Sequence, residues 1–182
     1  MLYCSLLQTE PVRIGYQSFI DTVHQKVHTT TRLSDLRVLH ISPQLPPTIG
    51  GIADYTAILS KRLVEVSDGA ADPVLIQAGI NGRSTPESTF RCIDLEEDCS
   101  PNVLSSTLQR LANERDTPTI VLLQYSGYGY AQRGAPWWLV RGLQQACEEA
   151  SVPLITMFHE LYATGPPWTS AFWLSPAQRY IA

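Results

Sequence analysis

The chain has no surplus of positive charge: 13 lysines and arginines stand against 17 aspartates and glutamates, a formal net charge of −4. That leaves no basic footprint for nucleic acid or for an anionic membrane surface. No apolar run approaches the roughly 20 residues needed to cross a bilayer. The opening MLYCSLLQTEPVR lacks a basic segment and its apolar stretch is short, which argues against a secretory signal. The four cysteines, Cys4, Cys92, Cys99 and Cys147, form no CxxC pair and no metal spacing. They read as reduced, mostly buried thiols of a cytoplasmic protein, with a Cys92–Cys99 bridge as the alternative. Also missing are the GxxxxGK[ST] of a P-loop, the GxGxxG of a dinucleotide fold, and a GxSxG around Ser126. No internal repeat and no low-complexity tract is present.

What is present suits one globular domain. The 182 residues are 44% hydrophobic and 16% charged, enough for one well-buried core and too few for two of ordinary size. Residues 1–35 differ from the rest and are expected to form a loosely attached extension, with the packed domain over 36–182. Within the extension, residues 16–28 could form a short helix. His24 and His28 would then share a face as metal ligands do, but no third ligand is near, so they read as solvated and no metal is expected.

From residue 37 the pattern is regular. Strands are expected at 37–42, 73–79, 90–95, 119–125 and 153–158. Between them, Ile52, Tyr55, Leu59, Leu63 and Val66 recur at helical spacing. Ser100 and Pro101 supply an N-cap and a first-turn proline for a helix burying Val103, Leu104, Leu108 and Leu111. Pro136 opens a helix through Trp137, Val140, Leu143 and Cys147, and Ser175 with Pro176 starts another. Strands alternating with helices predict an α/β fold, a doubly wound, Rossmann-like parallel sheet. The usual order sets strand 37–42 beside strand 119–125, where the winding reverses and ligands bind beyond the carboxyl ends of the strands.

The loops at that end carry the chemistry. In PQLPPTIGGIADY, Gly50 and Gly51 lead into a helix N-terminus, whose free N–H groups and dipole attract a phosphate or diphosphate, and glycine removes the Cβ that would hold it away. The alternative is a tight turn needing glycine for its own dihedrals. His159 and Glu160 follow the last strand, where a histidine can donate to a substrate oxygen or shuttle a proton, or can serve structure alone. Tyr125, Tyr128, Tyr130, Trp137, Trp138, Tyr162, Trp168 and Trp173 crowd the last two loops. Aromatics with polar tips suit a half-wet wall against a sugar face, although core packing explains part of the set.

Three features, strand-PQLPPTIGGIADYTAILSKRL, strand-QYSGYG and strand-FHELY, come in this order and spacing. On them the sequence over residues 37–182 resembles the N-terminal domain of GT-B glycosyltransferases, most closely the retaining family 4 group. The resemblance implies that Gly50 and Gly51 lie against the donor diphosphate and that His159 contacts the donor sugar in a catalytic role. It also makes Tyr125, Tyr128, Glu160 and Trp168 candidates for the acceptor wall. It implies a nucleotide-sugar as substrate, no cofactor, and an acceptor that is a glycan, lipid or small molecule. The family's second Rossmann-like domain, of roughly 150 residues or more, holds the nucleotide and has no counterpart here. The chain therefore reads as a truncated, acceptor-side half that needs a C-terminal domain or partner chain.

The expected function is sugar transfer from a nucleotide-sugar to an acceptor. Two alternatives stand beside it: a non-catalytic module that binds a carbohydrate or a partner, and a nucleotide-binding Rossmann domain of another enzyme class.

Overall fold

The computed structural model describes residues 36–79, 88–95 and 98–160, together with Pro176 and Tyr180. The expected extension over 1–35, His24, His28, Trp168 and most of the last helix lie outside the described residues.

Five strands form one parallel sheet: β1 (Leu36–Ser42), β2 (Ala71–Gln77), β3 (Arg91–Asp94), β4 (Thr119–Ser126) and β5 (Leu154–Glu160). Their spatial order is β3-β2-β1-β4-β5. This is the doubly wound order, and the winding reverses between β1 and β4 as expected. β1 and β4 are central, with Leu39 opposite Val121 and His40 opposite Leu122. Being covered on both faces, they read as nearly continuous apolar runs.

Among the described residues, four helical segments connect the strands: α1 (Gly51–Val66), α2 (Pro101–Asn113), the single turn α3 (Gly127–Tyr130) and α4 (Trp137–Ala150). Ser100 caps α2 as its sequence predicts, its hydroxyl accepting from Val103 N–H at 3.4 Å. α2 and α4 pack together on one face of the sheet, where Leu104, Leu108, Leu111, Leu139 and Leu143 meet Leu39, Ile41, Val121 and Leu123. Each fully buried leucine stabilises the fold by about 1.5–3 kcal/mol.

Two helices are rotated from the faces that the apolar spacing predicts: Leu143 is buried as expected, but Ile52, Leu59, Leu63, Val140 and Cys147 are only half-buried. α4 buries Leu139, Gly142, Leu143 and Ala146, leaving Trp137 46% exposed. In α1 the buried positions are Ala53, Thr56 and Ser60, while Tyr55, Ile58 and Val66 are exposed. The reason lies in the strand beneath: the face of β1 turned to α1 carries His40 and Ser42, both fully buried. Small hydroxyl-bearing residues on α1 let the helix approach and satisfy them, which a leucine stripe could not do.

The amino ends of the strands carry an ionic cluster. Arg37, 2% exposed, donates to Asp72 at 2.9 Å, to Glu114 at 3.2 Å and to the Leu111 carbonyl at 3.0 Å. It ties β1, β2 and the end of α2 together, away from the carboxyl ends. Cys92, Cys99 and Cys147 are free thiols, so no Cys92–Cys99 bridge forms.

Candidate functional site

The loop from Pro43 to Gly50 leaves β1 at the switch point and is tightly held. Ser42 Oγ donates to the Gln44 carbonyl at 2.6 Å and accepts from Thr56 Oγ1 of α1 at 3.1 Å. Leu45 is fully buried, and its N–H donates to Gln77 Oε1 at 3.1 Å. Pro43 is gripped from both sides. A Cβ on Gly79 would lie 1.8 Å from its carbonyl oxygen, and one on Gly129 would lie 2.7 Å from its Cβ. Those two glycines exist so that the ends of β2 and β4 can close on the loop.

Gly50 and Gly51 have no such reason. Gly50 is extended, with φ 177° and ψ 145°, a conformation open to any residue. A Cβ there would meet only the tip of the Gln44 side chain, at 3.4 Å. A Cβ on Gly51 would meet nothing within 4 Å. The alternative that this pair serves its own turn geometry finds no support at either position. Among the described residues no side chain caps α1, which leaves its first N–H groups open to another partner. Asp54 in the same turn is exposed and already complements the helix dipole, so an anion here would also face its charge.

His159 and Glu160 are the last two residues of β5, inside the strand rather than after it. The pairing with β4 shifts there: Tyr125 faces Phe158, but Ser126 faces Glu160. His159 is the extra residue of this bulge. Bulges re-aim side chains that strict alternation would place elsewhere. Here the shift lets both neighbours reach the same side of β4: His159 Nε2 lies 2.7 Å from Gln124 Oε1, and Ser126 Oγ donates to Glu160 Oε2 at 3.2 Å. The imidazole also meets the ring of Tyr55 edge-on, with centroids 5.5 Å apart. Tyr55 stands one turn along the helix that Gly51 begins, so His159 contacts that helix one turn from its start.

Behind His159 runs a buried polar chain that spacing and motifs do not reveal. Gln124 Nε2 lies 2.6 Å from His40 Nε2, and His40 Nδ1 lies 2.8 Å from Ser60 Oγ. His40, Gln124 and Ser60 are all fully buried. Burial pulls the His40 pKa down to about 4, so its ring is neutral at physiological pH. The available signal was a polar side chain inside an otherwise apolar strand: His40 in LRVLHIS and Gln124 in TIVLLQYS.

The other expected wall residues separate. Tyr125 is a core residue, 3% exposed, because alternation along β4 turns it away from Gln124 and toward the α2–α4 face. Its hydroxyl has no hydrogen-bond partner among the described residues, and burial pushes its pKa up. Tyr130 is likewise buried, donating to the Gln124 carbonyl at 2.8 Å. Tyr128 is 40% exposed on α3, directly beyond the end of β4. Trp138 packs inward with its indole N–H on the Tyr130 carbonyl, while Trp137 faces outward.

No protein-family model matches the chain, and no curated protein is similar enough to count as a relative. Among the described residues, no helix is long and apolar enough to cross a membrane, and no group of three or more potential ligands is arranged to hold a metal ion.

Proposed function

We propose that this domain is the acceptor-side half of a glycosyltransferase. It would transfer a sugar from a nucleotide-sugar to an acceptor, in a cleft completed by a second, nucleotide-holding domain. The observation that carries the proposal is the contact of His159 with Tyr55, one turn along the helix that Gly51 begins. An uncapped helix start with open space over its glycine suits one oxygen-rich end of a donor, and a histidine in contact with the next turn of that helix suits the sugar.

In this reading the N–H groups at the start of α1 stabilise the diphosphate as it leaves, and His159 contacts the sugar being transferred. Tyr128 and Glu160 stand at the carboxyl ends of β4 and β5, where an acceptor would lie. Asp54 in the first turn of α1 opposes an anion, so the cationic share of the diphosphate site falls to the second domain.

The test is a titration of the 182-residue protein with inorganic pyrophosphate and a panel of nucleotide-sugars, followed by amide NMR. Pyrophosphate is expected to bind weakly, shifting the Gly51, Ile52 and Ala53 amides, and Gly51→Val should abolish those shifts while the sheet stays folded. Unmoved amides at saturating pyrophosphate, with every nucleotide-sugar also silent, would remove the basis of the proposal.

A further inference from the structure

We propose that Gln124 is a positioning residue, itself held by His40 and Ser60, that fixes His159 in the Nε2–H tautomer and leaves its Nδ1 to accept a hydrogen bond from a ligand hydroxyl. This rests on the reading above that His159 faces the ligand, and it adds which atom acts and in which sense.

The donors fix the polarity. The amide nitrogen of Gln124 can only donate, and it lies 2.6 Å from His40 Nε2, so that ring nitrogen must be the acceptor. The single proton of the neutral His40 ring then sits on Nδ1 and goes to Ser60 Oγ at 2.8 Å. With its nitrogen committed to His40, the amide presents Oε1 to His159. A carbonyl oxygen can only accept, so His159 Nε2 carries the proton, and in the neutral ring Nδ1 keeps the lone pair. That nitrogen has no partner among the described residues.

The chain thus crosses the sheet from α1 through β1 and β4 to β5 with one polarity. Reversing any single member sets donor against donor or acceptor against acceptor in a region closed to water, because Ser60, His40 and Gln124 are fully buried. A histidine at an exposed strand end would otherwise sample both tautomers. The built-in polarity favours a ligand that offers an O–H at this point, as a sugar ring does, over one that offers a bare carbonyl or an ester oxygen.

Long-range proton–nitrogen NMR of the imidazoles in the unliganded protein reads the tautomer directly and needs no donor. The wild type should show His159 protonated on Nε2 and His40 on Nδ1. Gln124→Leu should release His159 to a mixture of tautomers, whereas Gln124→Glu, which still offers an accepting oxygen, should keep the proton on Nε2. Ser60→Ala is the most telling variant. It touches neither Gln124 nor His159, yet it should move the His40 proton to Nε2, turn the amide round and shift His159 toward the Nδ1–H form. An Nδ1–H wild type, or a His159 pattern unchanged in both Gln124→Leu and Ser60→Ala, would overturn the proposal. Those outcomes leave the pyrophosphate titration untouched, so a failure of this inference and a failure of the glycosyltransferase reading are separable.

Discussion

Tyr55 on α1 and His159 on β5 meet edge to face, their rings 78° apart in plane and 5.5 Å between centroids. One is 37% exposed and the other ends an edge strand, so neither is held by the core. An aromatic pair of this kind contributes about 0.5–1.5 kcal/mol beyond its buried area. Tyr55→Ala should lower stability by about 1 kcal/mol and broaden the His159 ring signals in NMR. Tyr55→Phe should do neither, because the contact uses the ring and not the hydroxyl.

Gly51→Ala should separate stability from binding. Nothing stands where the new methyl would go, and replacing a glycine at a compatible position stabilises by about 0.4–1 kcal/mol through the unfolded chain. Urea denaturation should show that gain. Pyrophosphate binding to the same variant should weaken, since the methyl occupies the space beside the first N–H groups. A loss of stability would mean that the glycine serves the fold after all.

Asp54→Asn should act in the opposite direction on binding. The carboxylate shares the first turn of α1 with the proposed anion position. Removing one charge near a helix terminus changes the balance by about 0.3–1 kcal/mol. Pyrophosphate affinity should therefore rise about two- to fivefold at low salt, with the gain fading as salt screens it. The helix should lose a similar small amount of stability.

Acid should weaken the fold through His40. Its pKa is held at about 4 by burial, below the ordinary 6.5. The unfolded chain binds the proton first, so the contribution is complete above 6.5 and is lost as pH falls through 4. At 1.36 kcal/mol per unit, the loss is on the order of 3 kcal/mol. Unfolding free energies of wild type and His40→Asn, measured at pH 7 and 4.5, should converge toward acid as the histidine-specific slope disappears in the variant. Parallel profiles would show that His40 takes up its proton as readily in the folded as in the unfolded chain.

Glu114 should add a second acid step lower down. The Arg91 guanidinium hydrogen-bonding to its carboxylate, at 2.5 and 3.0 Å, is the main cause holding its pKa at about 2, with Arg37 and Arg110 helping. A depressed carboxyl stabilises the fold above 4.5, and the benefit is lost as pH falls from there through 2. Glu114→Gln should be less stable than wild type at pH 6, and the gap should close between pH 4.5 and 2. A constant gap would assign the loss to packing instead.

The amino-acid sequence by itself determined the architecture. Alternating apolar runs and helical spacings, with Ser100–Pro101 and Pro136 as start signals, led to five parallel strands with the reversal between β1 and β4. These features are local: strand hydrophobicity, caps and turn residues act within a few positions, so they can be read without knowing what packs where. The place of Gly50 and Gly51 at the start of α1 was legible for the same reason, since they stand at a junction between elements. The inward faces of α1 and α4 were not. Apolar spacing chooses the greasiest face of a helix, but the strand beneath decides which face fits, and His40 and Ser42 called for Thr56 and Ser60.

Tertiary structure alone decided what surrounds His159. The bulge that brings Glu160 to the same side as His159 depends on the register of β5 against β4, which no local pattern encodes. Tyr125 and Gln124 are adjacent in the sequence, yet the pleat sends one into the core and the other to the imidazole. The line from Ser60 through His40 and Gln124 to His159 joins four elements far apart along the chain, and its polarity exists only because burial removes the water that would let each member turn independently.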